Sequence, residues 1–150
     1  MGSQINSREI ISNSPEETIL TGKLIASRLL KGSVVALNGT LGSGKTYLTK
    51  GIALGLGVKD NITSPTYTII NEYQTDRNDT AFYHIDVYRI NDDRDFENIN
   101  GPEIIQSDGI SVIEWSGRIP RSLPDDKISV NIEITGASSR LIKIEGISGL

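Results

Sequence analysis

Cysteine is missing from this 150-residue chain. Its absence excludes a disulfide scaffold, a zinc-finger core and a thiol nucleophile, and it fits a reducing compartment. A basic excess is missing too: 15 basic residues stand against 19 acidic ones, a net charge of −4. A surface that grips nucleic acid unaided normally carries the opposite balance, so a nucleic-acid role would have to run through a partner. No apolar run approaches the roughly eighteen residues of a membrane span. The opening residues, Met1 to Ser7, have neither the basic start nor the apolar stretch of a signal peptide, and Ser7 falls one place too late for a myristoylation pattern. A cytoplasmic protein is expected. Aromatic residues are scarce at 5%, with a single tryptophan, Trp115, and a single histidine, His84.

What is present suits one folded domain over residues 1–150, with 1–13 the stretch expected to be flexible. At 37% hydrophobic and 23% charged, the chain has the composition of a folded domain. Ser14-Pro15-Glu16-Glu17 reads as a capped helix start. Leu20, Leu24, Ile25 and Leu29 recur at helical spacing, and Gly32 is a left-handed stop, which predicts a helix over 15–31. Val34 to Leu37 is a short apolar run, the pattern of a strand buried on both faces. A glycine-rich turn follows, then a helical pattern through Leu48, Ile52 and Leu56, ended by Gly55 and Gly57. Strand, glycine loop and helix open an α/β fold.

Further along, 64–73 reads as a loop running into a strand and 74–80 as a polar hairpin turn. Ala81 to Tyr88 reads as a strand and Asn91 to Asn100 as a short helix or loop. Turns are signalled at Asn100-Gly101-Pro102 and Asp108-Gly109, before a buried strand over Ile110 to Ile113. Ile128, Val130, Ile132 and Ile134 alternate, and after Gly136-Ala137-Ser138-Ser139 come Leu141, Ile142 and Ile144. That is an antiparallel hairpin closing the sheet. The expected fold class is α/β: a P-loop NTPase-like mixed sheet flanked by helices, with a C-terminal antiparallel hairpin.

Gly39-Thr40-Leu41-Gly42-Ser43-Gly44-Lys45-Thr46 matches G-x-x-x-x-G-K-[ST] in full. Glycines let the backbone turn until successive N–H groups converge, and the helix behind directs its positive end at the same point. A lysine there reaches the β- and γ-phosphates, and the next hydroxyl ligates Mg²⁺. At this composition a chance match is roughly a 1% event over the chain, and the flanking strand and helix patterns are those the motif requires. Gly39, Leu41, Gly42, Ser43, Gly44, Lys45 and Thr46 are therefore nucleotide-binding candidates. Neither D-x-x-G nor N-K-x-D occurs, which favours ATP over GTP.

Such a loop needs an acidic residue at the end of a neighbouring strand to hold the metal or its waters. Two strands supply one: Phe82-Tyr83-His84-Ile85-Asp86 ends in Asp86, and Ile110 to Ile113 leads into Glu114. Spacing does not say which of Asp86 and Glu114 holds the metal. His84, Asp86 and Tyr88 share one strand face. A lone strand histidine is more often a packed, hydrogen-bonded residue than a catalyst. Ser64-Pro65-Thr66 is a simple turn or a switch that senses a γ-phosphate.

Four segments occur together in order: the glycine loop, then Thr63-Ser64-Pro65-Thr66-Tyr67-Thr68, then His84-Ile85-Asp86-Val87-Tyr88-Arg89, then Ile113-Glu114-Trp115. Together they resemble the bacterial TsaE (YjeE) family, the ATPase component of tRNA threonylcarbamoyladenosine (t6A) synthesis, over roughly Ser14 to Glu145. The resemblance implies a weak ATPase that binds the TsaD–TsaB heterodimer and uses ATP hydrolysis to reset it, touching tRNA only through that complex. It further implies that Thr46 and Glu114 hold Mg²⁺ and that Asp86 assists hydrolysis or the metal's water shell. Ser64 and Thr66 would form a switch-like loop, Trp115 would lie near the nucleotide, and the helix start near Thr18 would approach the adenine. Two departures from the family pattern stand out: Thr40 where the family usually has Asp, and Ser116-Gly117 after Trp115 where it usually has proline. The residues also leave two alternatives open. One is a small-molecule kinase, for which Arg118 and Arg121 are the nearest approach to a lid. The other is a nucleotide-dependent binding module without required catalysis.

Overall fold

The computed structural model describes residues 6–63 and 69–150. In chain order the elements are β1 (Ser7–Ser12), α1 (Pro15–Ala26), β2 (Val34–Gly39), α2 (Lys45–Gly55), β3 (Ile70–Gln74), β4 (Ala81–Asp86), α3 (Asp93–Asn98), α4 (Gly101–Ile105), β5 (Ile110–Glu114), β6 (Ile128–Ile134) and β7 (Arg140–Glu145), with one 3₁₀ turn over Ser116–Arg118. The seven strands among the described residues join one sheet in the order β1-β7-β6-β2-β5-β4-β3. The four central strands, β6-β2-β5-β4, run parallel. Antiparallel pairs close both sides: β3 on β4, β7 on β6, and β1 outside β7. The expected mixed sheet and C-terminal hairpin are both present. Ser7–Ser12 lies within the stretch expected to be flexible, yet it forms the edge strand β1, every residue of it in register with β7.

The predicted helix over 15–31 is shorter than its pattern. Its start is as read: the Glu17 amide donates to Ser14 Oγ at 3.1 Å, and Glu17 Oε2 accepts from the Asn13 amide at 2.9 Å. It ends at Ala26. There the chain tightens into i→i−3 bonds at Arg28 and Leu29, and Arg77, from the turn between β3 and β4, donates to the carbonyls of Ala26 (3.0 Å) and Leu29 (2.5 Å). The orphan carbonyls of a helix end are thus satisfied by a residue about fifty positions away, which no local window can see. Gly32 does take the left-handed conformation (φ 86°), but in the turn that feeds β2. The predicted strand over 81–88 likewise stops at Asp86, because Asp86 Oδ1 accepts from the Tyr88 amide at 2.9 Å and turns the chain.

Each face of the sheet carries its own apolar cluster. Beneath α1 and α2, Ile25, Leu48 and Ile52 pack on Val35, Leu37, Phe82, Val112 and Val130. On the opposite face Phe96 and Ile105 of α3 and α4 pack on Val34, Ile85 and Ile113. α1 and α2 meet backbone to backbone at Gly22 and Gly51. A Cβ on Gly51 would strike the Ile19 carbonyl, and one on Gly22 would strike that of Leu48.

Candidate functional site

Fully buried β2 residues carry the chain to Gly39, where it turns and enters α2. Gly42 (φ 78°) and Gly44 (φ 107°) sit in the left-handed region that side chains disfavour. Gly44 is the N-cap of α2 and brings no side-chain bond to it, so the first-turn amides face outward uncapped. Inside the loop the Ser43 amide donates to the Thr40 carbonyl at 3.1 Å. The loop thus has the strand–turn–helix setting that its motif predicts.

Along β4 and β5 the face beneath α1 and α2 begins apolar, with Phe82, Ile110 and Val112, and becomes polar at the strands' C-terminal ends, with His84, Asp86 and Glu114. Asp86 and Glu114 are direct neighbours across the parallel ladder. The two carboxylates that spacing could not rank therefore stand side by side. Glu114 is buried, and its Oε2 lies 2.5 Å from Nε2 of the fully buried His84. His84 is thus the packed, hydrogen-bonded histidine that a lone strand histidine usually is, and its bond holds the Glu114 carboxylate in one orientation. Burial pushes the Asp86 carboxyl above the usual range, with the Glu114 charge adding to the rise. The Tyr88 amide, His84 and Lys45 pull the other way.

Lys45 is 7% exposed. Its Nζ donates to the Gly39 carbonyl at 2.5 Å and stands 4.1 Å from the centre of the Trp115 ring. Burial lowers its pKa, and the charges of Glu114 and Asp86 partly offset that. Trp115 itself is left-handed (φ 62°). Its ring packs tilted against Tyr88, with centroids 4.8 Å apart and planes at 54°, and the Arg118 guanidinium lies 5.2 Å from the centre of the Tyr88 ring. Ser116 starts the 3₁₀ turn after Trp115, and its hydroxyl donates to Asn38 Oδ1 at 3.1 Å.

These groups open on a cleft of about 470 Å³. Loop residues Thr40 to Thr46 form its floor, and Asp86, Glu114 and Trp115 one wall. Ser14, Pro15 and Thr18 at the start of α1 form another, and Ala137, Ser138 and Arg140 of the β6–β7 hairpin complete it. Leu41, at the loop's crest, is 78% exposed. Of the sequence candidates, Leu41 to Thr46, Asp86, Glu114 and Trp115 come together here, and Gly39 lies at the loop's base. Ser64 and Thr66 lie outside the described residues.

Two contributions leave no signature in the sequence. The strand pattern placed His84 near Asp86 but gave no hint that it holds Glu114. Arg140 carried no signal at all: it is one arginine after a Gly-Ala-Ser-Ser turn, yet it donates to the loop carbonyls of Ser43 and Gly42 at 3.0 and 3.2 Å.

Among the described residues no group of three or more acidic, histidine or cysteine side chains could hold a metal alone. Thr46, Asp86 and Glu114 line the same cleft, so a hydroxyl and two carboxylates make up a hard oxygen set there. That set suits Mg²⁺, which keeps waters and shares its coordination with phosphate oxygens.

A family model described as threonylcarbamoyl adenosine biosynthesis protein TsaE matches residues 12–142. The tRNA threonylcarbamoyladenosine biosynthesis protein TsaE of Treponema pallidum is 37% identical over 134 residues, covering 89% of this chain and 97% of that protein. The protein of the same name from Bacillus subtilis is 38% identical over 136 residues, covering 89% and 82%. Among solved structures, the crystal structure of Bacillus subtilis YdiB superposes with a TM-score of 0.78 at 33% identity, covering 98% of this chain and 90% of that one.

Proposed function

Given that the chain belongs to the TsaE family, we propose that it serves t6A formation on tRNA as a P-loop ATPase, docking on the TsaD–TsaB heterodimer and hydrolysing ATP to reset it. The observation that carries the ATPase reading is the cleft itself: Lys45, Thr46 and the neighbouring carboxylates Asp86 and Glu114 all line it. In this reading the Gly44 and α2 amides receive the β-phosphate. Lys45 leaves the Gly39 carbonyl for the β- and γ-oxygens, a move favoured by burial that the charges of Glu114 and Asp86 offset only in part. Thr46 and Glu114 would hold Mg²⁺, which would supply charge neutralisation at the phosphates. His84 keeps Glu114 aimed, and Asp86, whose carboxyl is easier to protonate than an exposed one, orients the attacking water. The ribose and base run toward Ser14, Pro15 and Thr18. The net charge of −4 agrees with tRNA being gripped by partners.

Calorimetric titration with ATP and Mg²⁺, and phosphate release with and without purified TsaD and TsaB, test the proposal. Binding that Lys45→Ala abolishes, with turnover that rises on adding both partners, is expected. Unchanged ATP binding by Lys45→Ala would overturn the site. Turnover indifferent to the partners would overturn the reset role.

A further inference from the structure

We infer that Arg140 is a positioning residue that holds the phosphate-binding loop in its receiving conformation, an inference that rests on the nucleotide reading of the cleft. One planar guanidinium makes four bonds to carbonyl oxygens. Nε donates to Ser43 (3.0 Å) and Nη2 to Gly42 (3.2 Å), while Nη1 donates to Gly136 (3.1 Å) and Ser139 (2.8 Å). The first two belong to the loop and the other two to Arg140's own hairpin. In a trans peptide the carbonyl and the next N–H point in opposite directions. Fixing the Ser43 carbonyl therefore fixes the Gly44 N–H, the amide at the N-cap of α2.

The loop needs an outside restraint at this point. Both Gly42 and Gly44 are left-handed, and the glycines that permit this shape also permit many others. A rigid fork on two successive carbonyls removes that freedom, in a way a flexible ammonium could not. The four acceptors are neutral, so the guanidinium also brings its positive charge to the wall of an anion-binding cleft. Ser43 Oγ, buried with no hydrogen-bond partner among the described residues, does not itself hold the loop in place.

Removing the fork lowers the fraction of molecules with the loop ready, and apparent affinity falls by that fraction. For Arg140→Met we expect ADP affinity to drop about tenfold, and for Arg140→Lys to recover no more than about a third of that loss. Hydrogen–deuterium exchange without nucleotide should quicken in Arg140→Met at 40–46, while β2 and β5 keep their protection. Three results overturn the inference: ADP binding by Arg140→Met equal to wild type, full recovery in Arg140→Lys, or exchange that quickens evenly across the sheet. If Arg140→Met does not fold, Arg140→Lys, which keeps the stem and charge, is read alone: wild-type affinity in it overturns the inference, and a severalfold loss supports it. Wild-type protein that binds no ADP would instead sink the nucleotide reading. Wild type that binds, Lys45→Ala that does not and Arg140→Met that still does would sink only the role of Arg140.

Discussion

The two faces of the sheet are built differently. Under α1 and α2 lies the larger apolar cluster, covered by helices of twelve and eleven residues that touch through glycine. Under α3 and α4 the cluster is smaller, its helices have six and five residues, and its chain passes through the left-handed residues Asn100 and Trp115. The site's charged groups, Lys45, Asp86 and Glu114, all lie on the first face. Desolvated charges destabilise a fold, and they sit where apolar burial is greatest. One face supplies both the stability and the strain on it, a common arrangement where function needs groups that folding alone would not choose.

The largest effect should separate the faces by a single methyl group. Gly51→Ala forces a Cβ against the Ile19 carbonyl and should cost about 2–3 kcal/mol of unfolding free energy. Gly117→Ala, in the 3₁₀ turn with no atom of the described residues within 4 Å of the added one, should stay within about 0.5 kcal/mol of wild type. Urea denaturation measures both, and equal costs would break the contrast.

A smaller effect of opposite sign should follow from Lys45→Met. The variant keeps the stem packed and removes an ammonium that burial disfavours, so the nucleotide-free protein should melt at a higher temperature while losing ATP binding. The sign is fixed by the direction of the shift. A lowered lysine pKa means that the folded state pays for charge at neutral pH, and the cost fades as pH rises through the lowered value toward the ordinary 10.5. The gain over wild type should therefore shrink in alkaline buffer. A lower melting temperature at pH 7 would show that Trp115 and the carboxylates already compensate the charge.

Local pattern made the first of these faces readable. Ser14-Pro15 announced α1, the apolar run at Val34 announced β2, and G-x-x-x-x-G-K-T announced the loop, since each signal spans only a few residues. Both acidic strand ends were visible because strand and terminus are adjacent in sequence. What stayed hidden depends on contacts between distant residues: Arg77 stopping α1 at Ala26, β1 pairing with β7, His84 reaching Glu114 and Arg140 bridging to Ser43, which is 97 positions away. Arginine on a carbonyl leaves no periodicity and no motif. Hydrophobic spacing records which face a residue takes, not which polar partner waits there.

The smallest effect concerns Asp86, the more open of the two carboxylates. Burial raises its pKa despite the Tyr88 amide and the charges of His84 and Lys45, and Glu114 adds to the rise. A raised carboxyl pKa means that the folded state resists ionisation. The cost is fully present well above the folded pKa, declines as pH falls through it, and is gone below the ordinary 3.8. Asp86→Asn keeps an oxygen to accept from the Tyr88 amide at 2.9 Å and removes the charge. Thermal melts should place it slightly above wild type at pH 7 and level with it below pH 3.8, while ATP turnover falls about a hundredfold if Asp86 orients the attacking water. A variant less stable than wild type at pH 7 would mean that the favourable neighbours outweigh burial. The uncompensated burial would then have to be sought at the cleft's other charged groups, Lys45 and Glu114.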